Sequence, residues 1–280
     1  MSFSTYETSR SRGRPVNLYF FRWGSTPNSY HAYTDAENEI IHDGITYEPV
    51  PVMRGAIVSS GTLDKAALEI RMPLNLDFPS MFLAYPPPQV VTLTIRQGHL
   101  DDTDAEFLVV WTGRVISTKR EGNEAVFQGE PVSTSMRRNG LRRHYQYTCP
   151  HVLYGPHCRA NEAAATSRTT VSEVYPGSVV LASNWIPPGK QPEHYIGGIL
   201  RWTGQGLTEI RTILRVMGQD NRTLELSGVT RNLSPGQSVE VILGCNRQMS
   251  GCQLHNNIQN FGGFPWIPKK NPVGYVNNYY

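Results

Sequence analysis

The chain has 280 residues and a formal charge of only +3, from 26 Lys and Arg against 23 Asp and Glu, which gives no ground for sequence-specific nucleic-acid binding. A chain of this length buries roughly 75% of its unfolded surface, so its core needs no covalent staples. Low charge (18%) with 25 Gly, 20 Pro and 14 Tyr points to strands and turns rather than long helices.

The opening "MSFSTYETSRSRGRP" lacks the apolar core of a signal peptide. No later stretch reaches the roughly 18 consecutive apolar residues that cross a bilayer. The expectation is a chain made and folded in the cytosol, where thiols stay reduced.

From residue 16 to about 132 the sequence reads as successive strands. "VNLYFFRW" is aromatic and β-branched, and "DGITYEPVPV" is a turn followed by an extended run. "AALEIRM" puts Leu68, Ile70 and Met72 on one face, and "VVTLTIRQG" does the same with Val91, Leu93 and Ile95. In "FLVVWTGRVIS" the period-two reading groups Val109, Trp111, Gly113 and Val115. Such alternation predicts antiparallel strands with one wet face. The prolines at 86–88 form a stiff break between two of them.

The character changes over 133–165. Arg137, Arg138, Arg142 and Arg143 fall close together as a basic patch whose ordinary role is a solvated face. Cys149 and Cys158 follow, and "NEAAATSRTT" forms a small-residue linker. Then come "TVSEVY", "SVVLAS", "YIGGILRWTG", "TEIRTILRVMG", "RTLELSG" and "QSVEVILG", with turns at "YPGS", "GQDNR" and "LSPGQ". Five or six short strands in so few residues predict a small antiparallel barrel. Cys245 and Cys252 come next, and the last residues, with Gly262, Gly263, Pro265, Pro268 and Pro272, predict an extended wrapping tail. The fold class is therefore mainly β: an N-terminal antiparallel barrel or sandwich over 1–135, then a loop-rich four-cysteine domain over 136–280 with a small barrel inserted at about 166–240.

The four cysteines neighbour Pro150, Gly155, Pro156, Gly244 and Gly251, in turns rather than on apolar strand faces. Three readings stay open on the residues alone: one thiolate-held metal centre, two local disulfides, or four unrelated buried thiols. Eight and six residues intervene within the two pairs, wider than the two to four typical of zinc ribbons. His144, His151, His157 and His255 lie nearby as substitute zinc ligands.

Read in order, "CPHVLYGPHCRAN", "GGILRWTG", "LGCNRQMSGC" and "NFGGFPWIP" resemble the tail-tip hub proteins of long-tailed bacteriophages and gene transfer agents, the group that includes the lambda-like minor tail protein L. The polar lead and aromatic strand of "YETSRSRGRPVNLYFFRWG" are also similar to that family's opening, so the resemblance covers nearly the whole chain. It implies that Cys149, Cys158, Cys245 and Cys252 ligate a [4Fe-4S] cluster, with zinc as the alternative. Two positions depart from the family pattern: Asn246 stands where Asp is usual, and Gly262 where Arg is frequent. The resemblance further implies a non-enzymatic virion protein at the tail tip, assembled in the bacterial host cytoplasm. It would be a homotrimer joining the distal tail protein ring to the central tail fibre protein, near the tape measure protein.

A redox or zinc-binding role for the same cysteines is the competing reading. It lacks a second cysteine set or a flavin or nicotinamide glycine motif. A cell-wall hydrolase would need an H-E-x-x-H or G-x-S-x-G element, and neither is present.

Overall fold

The structure, a computed structural model, describes residues 2–9, 11–24, 27–58, 67–83, 86–137, 144–204 and 207–268. The chain divides into two compact units, Met1–Asn139 and Gly140–Tyr280. No helix among the described residues is long and apolar enough to cross a membrane.

The first unit opens with a short helix, α1 (Ser2–Glu7), and continues as strands. These are β1 (Pro15–Trp23), β2 (Tyr30–Thr34), β3 (Ile40–His42), β4 (Ile45–Pro49), β5 (Met53–Arg54), β6 (Leu68–Pro73), β7 (Val91–His99), β8 (Leu108–Glu121) and β9 (Glu124–Pro131), with α2 (Asp77–Ser80) between β6 and β7. They form one nine-stranded sheet in the order β3-β4-β2-β1-β7-β8-β9-β6-β5. Every pairing is antiparallel except β2 with β4, where Tyr33 faces Glu48. The sheet is an open ladder, and its outer strands, β3 and β5, are only three and two residues long. Very short edge strands leave little free backbone for stray pairing.

Local chemistry explains the turns. Asp43 and Gly44, both left-handed at φ 53° and 75°, make the two-residue hairpin between β3 and β4. Leu68, Ile70 and Met72 of β6 and Val91, Leu93 and Ile95 of β7 are all buried, as the alternation predicts. Phe21, Phe78 and Phe127 stack into the same core, with ring centroids 4.1 and 5.0 Å apart. Each such side chain contributes about 1.5–3 kcal/mol by leaving water. Leu18, Ala32 and Tyr47 form a second small cluster, so β1 has buried residues on both faces.

β8 departs from simple alternation. Ile95 pairs with Trp111 but Arg96 pairs with Val109, so Val110 is an extra residue in the ladder. That bulge turns Val109 off the Trp111 face, leaving it 56% exposed while Trp111 and Gly113 stay buried. Trp111 lies across Gly113 and Gly129, where an added Cβ would come within 2.4 and 2.8 Å of the indole.

The second unit holds a closed six-stranded barrel, β10 (Thr166–Tyr175), β11 (Ser178–Leu181), β12 (Ile199–Gly204), β13 (Leu207–Met217), β14 (Thr223–Leu226) and β15 (Ser238–Ile242), ordered β10-β11-β14-β13-β12-β15. Its core contains Val171, Leu181, Tyr195, Trp202, Ile213 and Val241. The inward face of β13 also carries charge: Glu209 and Arg211 are buried and paired at 3.0 Å, and Arg231 reaches the same carboxylate at 2.5 Å. Arg211 also lies over the Trp202 ring, 5.6 Å from its centroid. After β15 comes one short helix, α3 (Met249–Leu254). Of the arginine patch, Arg138, Arg142 and Arg143 lie outside the described residues.

Candidate four-cysteine centre

Closure of the barrel is what brings the two cysteine pairs together. β10 and β15 are antiparallel neighbours, with Thr166 opposite Ile242. The chain thus leaves the barrel beside the point where it entered. Cys158 lies eight residues before that doorway and Cys245 three residues after it. The Leu243 N–H donates to the Ala165 carbonyl at 3.1 Å, and the Tyr154 hydroxyl donates to the Leu243 carbonyl at 2.6 Å. Close approach here requires glycine: a Cβ on Gly244 would sit 2.1 Å from the Ile196 carbonyl oxygen, and one on Gly198 2.2 Å from that of Ile242.

Cys149 joins from the other side. Its N–H donates to the Arg247 carbonyl at 2.8 Å, so the first cysteine loop is hydrogen-bonded to the third. α3 then supplies Cys252. All four cysteines are free; Cys149, Cys158 and Cys252 are buried and Cys245 is half-buried. Burial pushes the Cys252 thiol up to about 11, and Cys245, Cys149 and Cys158 add to the effect by mutual repulsion. Cys245 is also raised, by burial first, with the Arg247 amide opposing the shift and Cys158 and Cys149 adding to it. Four thiols in mutual electrostatic range, with no disulfide, resist ionising together unless a cation compensates them.

Three of the sulfurs accept N–H donors. The Gly262 amide reaches Cys149 Sγ at 3.4 Å, the Arg247 amide reaches Cys245 Sγ at 3.4 Å, and Asn257 Nδ2 reaches Cys158 Sγ at 3.7 Å. Donors aimed at sulfur are what stabilise and tune thiolate ligands of iron–sulfur clusters. The donor set therefore fits such a group chemically. Among the described residues, no three Cys, His, Asp or Glu side chains converge tightly enough to hold a single metal ion.

The turns around the cysteines are strained. Tyr154, Arg159, Arg247 and Asn256 all have left-handed backbones, with φ of 59°, 57°, 60° and 50°. Such positions cost about 1–3 kcal/mol each outside glycine and persist only where surroundings impose them. Every cysteine-bearing turn except that of Cys149 has such a residue within four positions of its cysteine.

Three of the four nearby histidines make local contacts. His255 Nε2 lies 2.9 Å from the Gly244 carbonyl, and its ring stands edge-on to Tyr154. His151 and His157 stack with centroids 5.6 Å apart, and His144 is exposed. Both departures from the family pattern have a local explanation. Asn246 Oδ1 accepts the Gln248 N–H at 3.0 Å and its Nδ2 donates to Ser250 Oγ at 3.0 Å, shaping the start of α3. At Gly262, a Cβ would lie 2.3 Å from His151 Nε2, so the imidazole fills the space a larger residue would need. Asn257 is the residue the sequence did not single out: buried, it donates to the Cys158 carbonyl at 2.6 Å and accepts from Asn260. Its only sequence signal is the asparagine-rich run "HNNIQN" after Cys252.

The tail runs over this centre as far as it is described. The Phe264 N–H donates to the Gln146 carbonyl at 2.9 Å, and the Phe264 ring packs at a tilt on Tyr145 with centroids 4.6 Å apart. Trp266 is 89% exposed. Pro272, Tyr275, Tyr279 and Tyr280 lie outside the described residues.

Comparison with known proteins bears on this arrangement. Residues 193–271 match the family profile described as "Phage conserved hypothetical protein BR0599". That span holds four of the six barrel strands, β12 to β15, with Cys245, Cys252 and the N-F-G-G-F-P segment. An uncharacterized protein of Xylella fastidiosa (strain 9a5c) is 25% identical over 165 residues, or 55% of this chain and 34% of that protein. The chain thus spans about a third of the length of the curated relative it matches. Among solved structures, a chain in the virion of a native gene transfer agent particle superposes with a TM-score of 0.80 at 19% identity, over 99% of this chain and 96% of that one. This chain has the fold of a gene transfer agent virion protein. That virion-protein fold embraces both units, since the superposition leaves almost no residue out. The family match and the shared fold agree with the resemblance to phage and gene transfer agent proteins carried by the cysteine motifs.

Proposed function

We propose that the protein is a structural hub of a phage or gene transfer agent tail tip, located in the virion, with its four cysteines holding a [4Fe-4S] cluster as a clasp. The observation that carries the virion role is the fold shared with the gene transfer agent virion chain along 99% of this sequence. The clasp is supported by Cys149, Cys158, Cys245 and Cys252 lying within electrostatic range of one another beside the barrel doorway, with amide donors on three of the sulfurs. In this reading the first unit contributes to a ring at the end of the tail tube, as a homotrimer beside the distal tail protein. The second unit grips the central fibre protein, and no substrate is turned over. The cluster would add no reaction; it would tie the 149–158 loop to the 245–252 turn. The chain's own residues bind and orient it, with amide donors on three sulfurs and Asn257 holding the Cys158 backbone.

Mass spectrometry of purified particles tests the location, and the chain is expected among their tail proteins. Removing residues 264–280 deletes the Phe264 ring contact and the exposed Trp266, the aromatic type favoured as an interface anchor. Tail tips lacking the fibre are the expected product, with the first unit still folded. Normal yields of infectious or transducing particles from the truncated chain would refute the grip. Absence of the intact chain from particles would refute the hub itself.

A further inference from the structure

The second unit contains a cavity of about 670 Å³ whose walls include Glu193, His194, Ile196, Cys245, Ser250 and Leu254. It lies between the turn Pro192–Tyr195, which leads into β12, and α3. Its size falls within the range of small-molecule sites, roughly 300–1,000 Å³. Cys245 lines it, and the other three cysteines do not. Cys245 is also the one cysteine of the four that is not fully buried. The Gly251 backbone separates α3 from the Cys245 sulfur so closely that a Cβ there would sit 2.9 Å from Sγ. Of the four cysteines, the half-buried Cys245 is thus the one that borders the cavity, beside Ser250 and Gly251 of the helix. His194 Nδ1 accepts the Gln191 N–H at 3.0 Å, which places its ring proton on Nε2.

We propose that this cavity is the port through which metal ions and small thiol-directed solutes reach the four-cysteine centre, with Cys245 the ligand they meet first. The proposal rests on reading the four cysteines as a metal centre. The same route would let a chelator withdraw iron from the Cys245 corner.

Ile196 is well exposed on the cavity wall, so Ile196→Trp should close the port from outside while leaving every cysteine and its amide donor in place. The full chain is purified anaerobically, its iron is counted, and iron transfer to a ferrous chelator is followed for wild type and variant. At equal iron content and equal circular dichroism, Ile196→Trp should slow transfer at least about tenfold, because access rather than bond strength has changed. Equal transfer rates would overturn the port. Should the purified chain carry no iron, the cluster reading fails, and iodoacetamide labelling followed by peptide mass spectrometry tests the port alone. Cys245 should then be alkylated first and lose its lead in Ile196→Trp. Equal labelling of all four thiols, or a lead by another cysteine, would overturn it.

Discussion

Replacing Cys158 by Ser is expected to empty the four-cysteine centre and to loosen the second unit while sparing the first. Cys158 is buried, stands between the left-handed residues Tyr154 and Arg159, and has its backbone held by Asn257. In the proposed clasp, loss of one ligand would remove the compensation for three further thiols crowded together and for the strain of four left-handed residues. Apparent free energies of structural metal binding reach about 10–16 kcal/mol in zinc-finger peptides, comparable to the whole stability of a domain. Limited proteolysis should therefore cut Cys158→Ser first within 144–162 and 245–268. The barrel strands, which close on their own core, should follow, and residues 16–132 should stay protected. Simultaneous cleavage across both units would show that the centre does not stabilise one unit selectively.

The second large effect concerns the charges inside the barrel. Glu209 is 0% exposed, Arg211 1%, and Arg231 completes the group through the same carboxylate. Glu209→Gln removes the carboxylate charge that both guanidinium groups contact, one of them fully enclosed. Breaking a buried ion pair by deleting one partner typically costs about 3–5 kcal/mol, since the remaining charge is still out of water. For a unit of this size that corresponds to a fall in melting temperature of about 10 °C or more for the barrel transition. Replacing the group together, Glu209→Leu with Arg211→Met and Arg231→Met, should recover much of the loss, because none of the three charges then stays buried without its partner. A Glu209→Gln chain that melts with the wild type would show that the pair carries no such load.

These charges also mark where the sequence stops being legible. Period two in "TEIRTIL" sorts Glu209, Arg211 and Ile213 onto one face and Ile210 and Thr212 onto the other, and hydropathy favours burying the second. The barrel buries the first, because Arg231 and the Trp202 ring supply partners from distant positions in the chain. The same limit applies to Val109, whose exposure follows from a bulge that needs the partner strand β7 to be seen. By contrast, Leu68, Ile70, Met72, Val91, Leu93 and Ile95 were legible, since an unbroken strand repeats one face every second residue. The six barrel strands were legible too, each bounded by its own turn residues, among them Gly177, Gly218 and Gly236 at positive φ. Around the cysteines, the motifs identified the thiols themselves. Asn257, the doorway made by Thr166 and Ile242, and the cavity at Cys245 depend on how the barrel closes, which no local pattern encodes.

In the proposed hub, Cys149, Cys158, Cys245 and Cys252 together hold an iron–sulfur cluster that clasps the second unit. Anaerobic purification of the full chain, with iron, acid-labile sulfide and zinc determined on one sample, tests it most directly. A brown protein with iron and sulfide in comparable amounts, both lost in Cys158→Ser, is the predicted result; stoichiometric zinc without labile sulfide would contradict it.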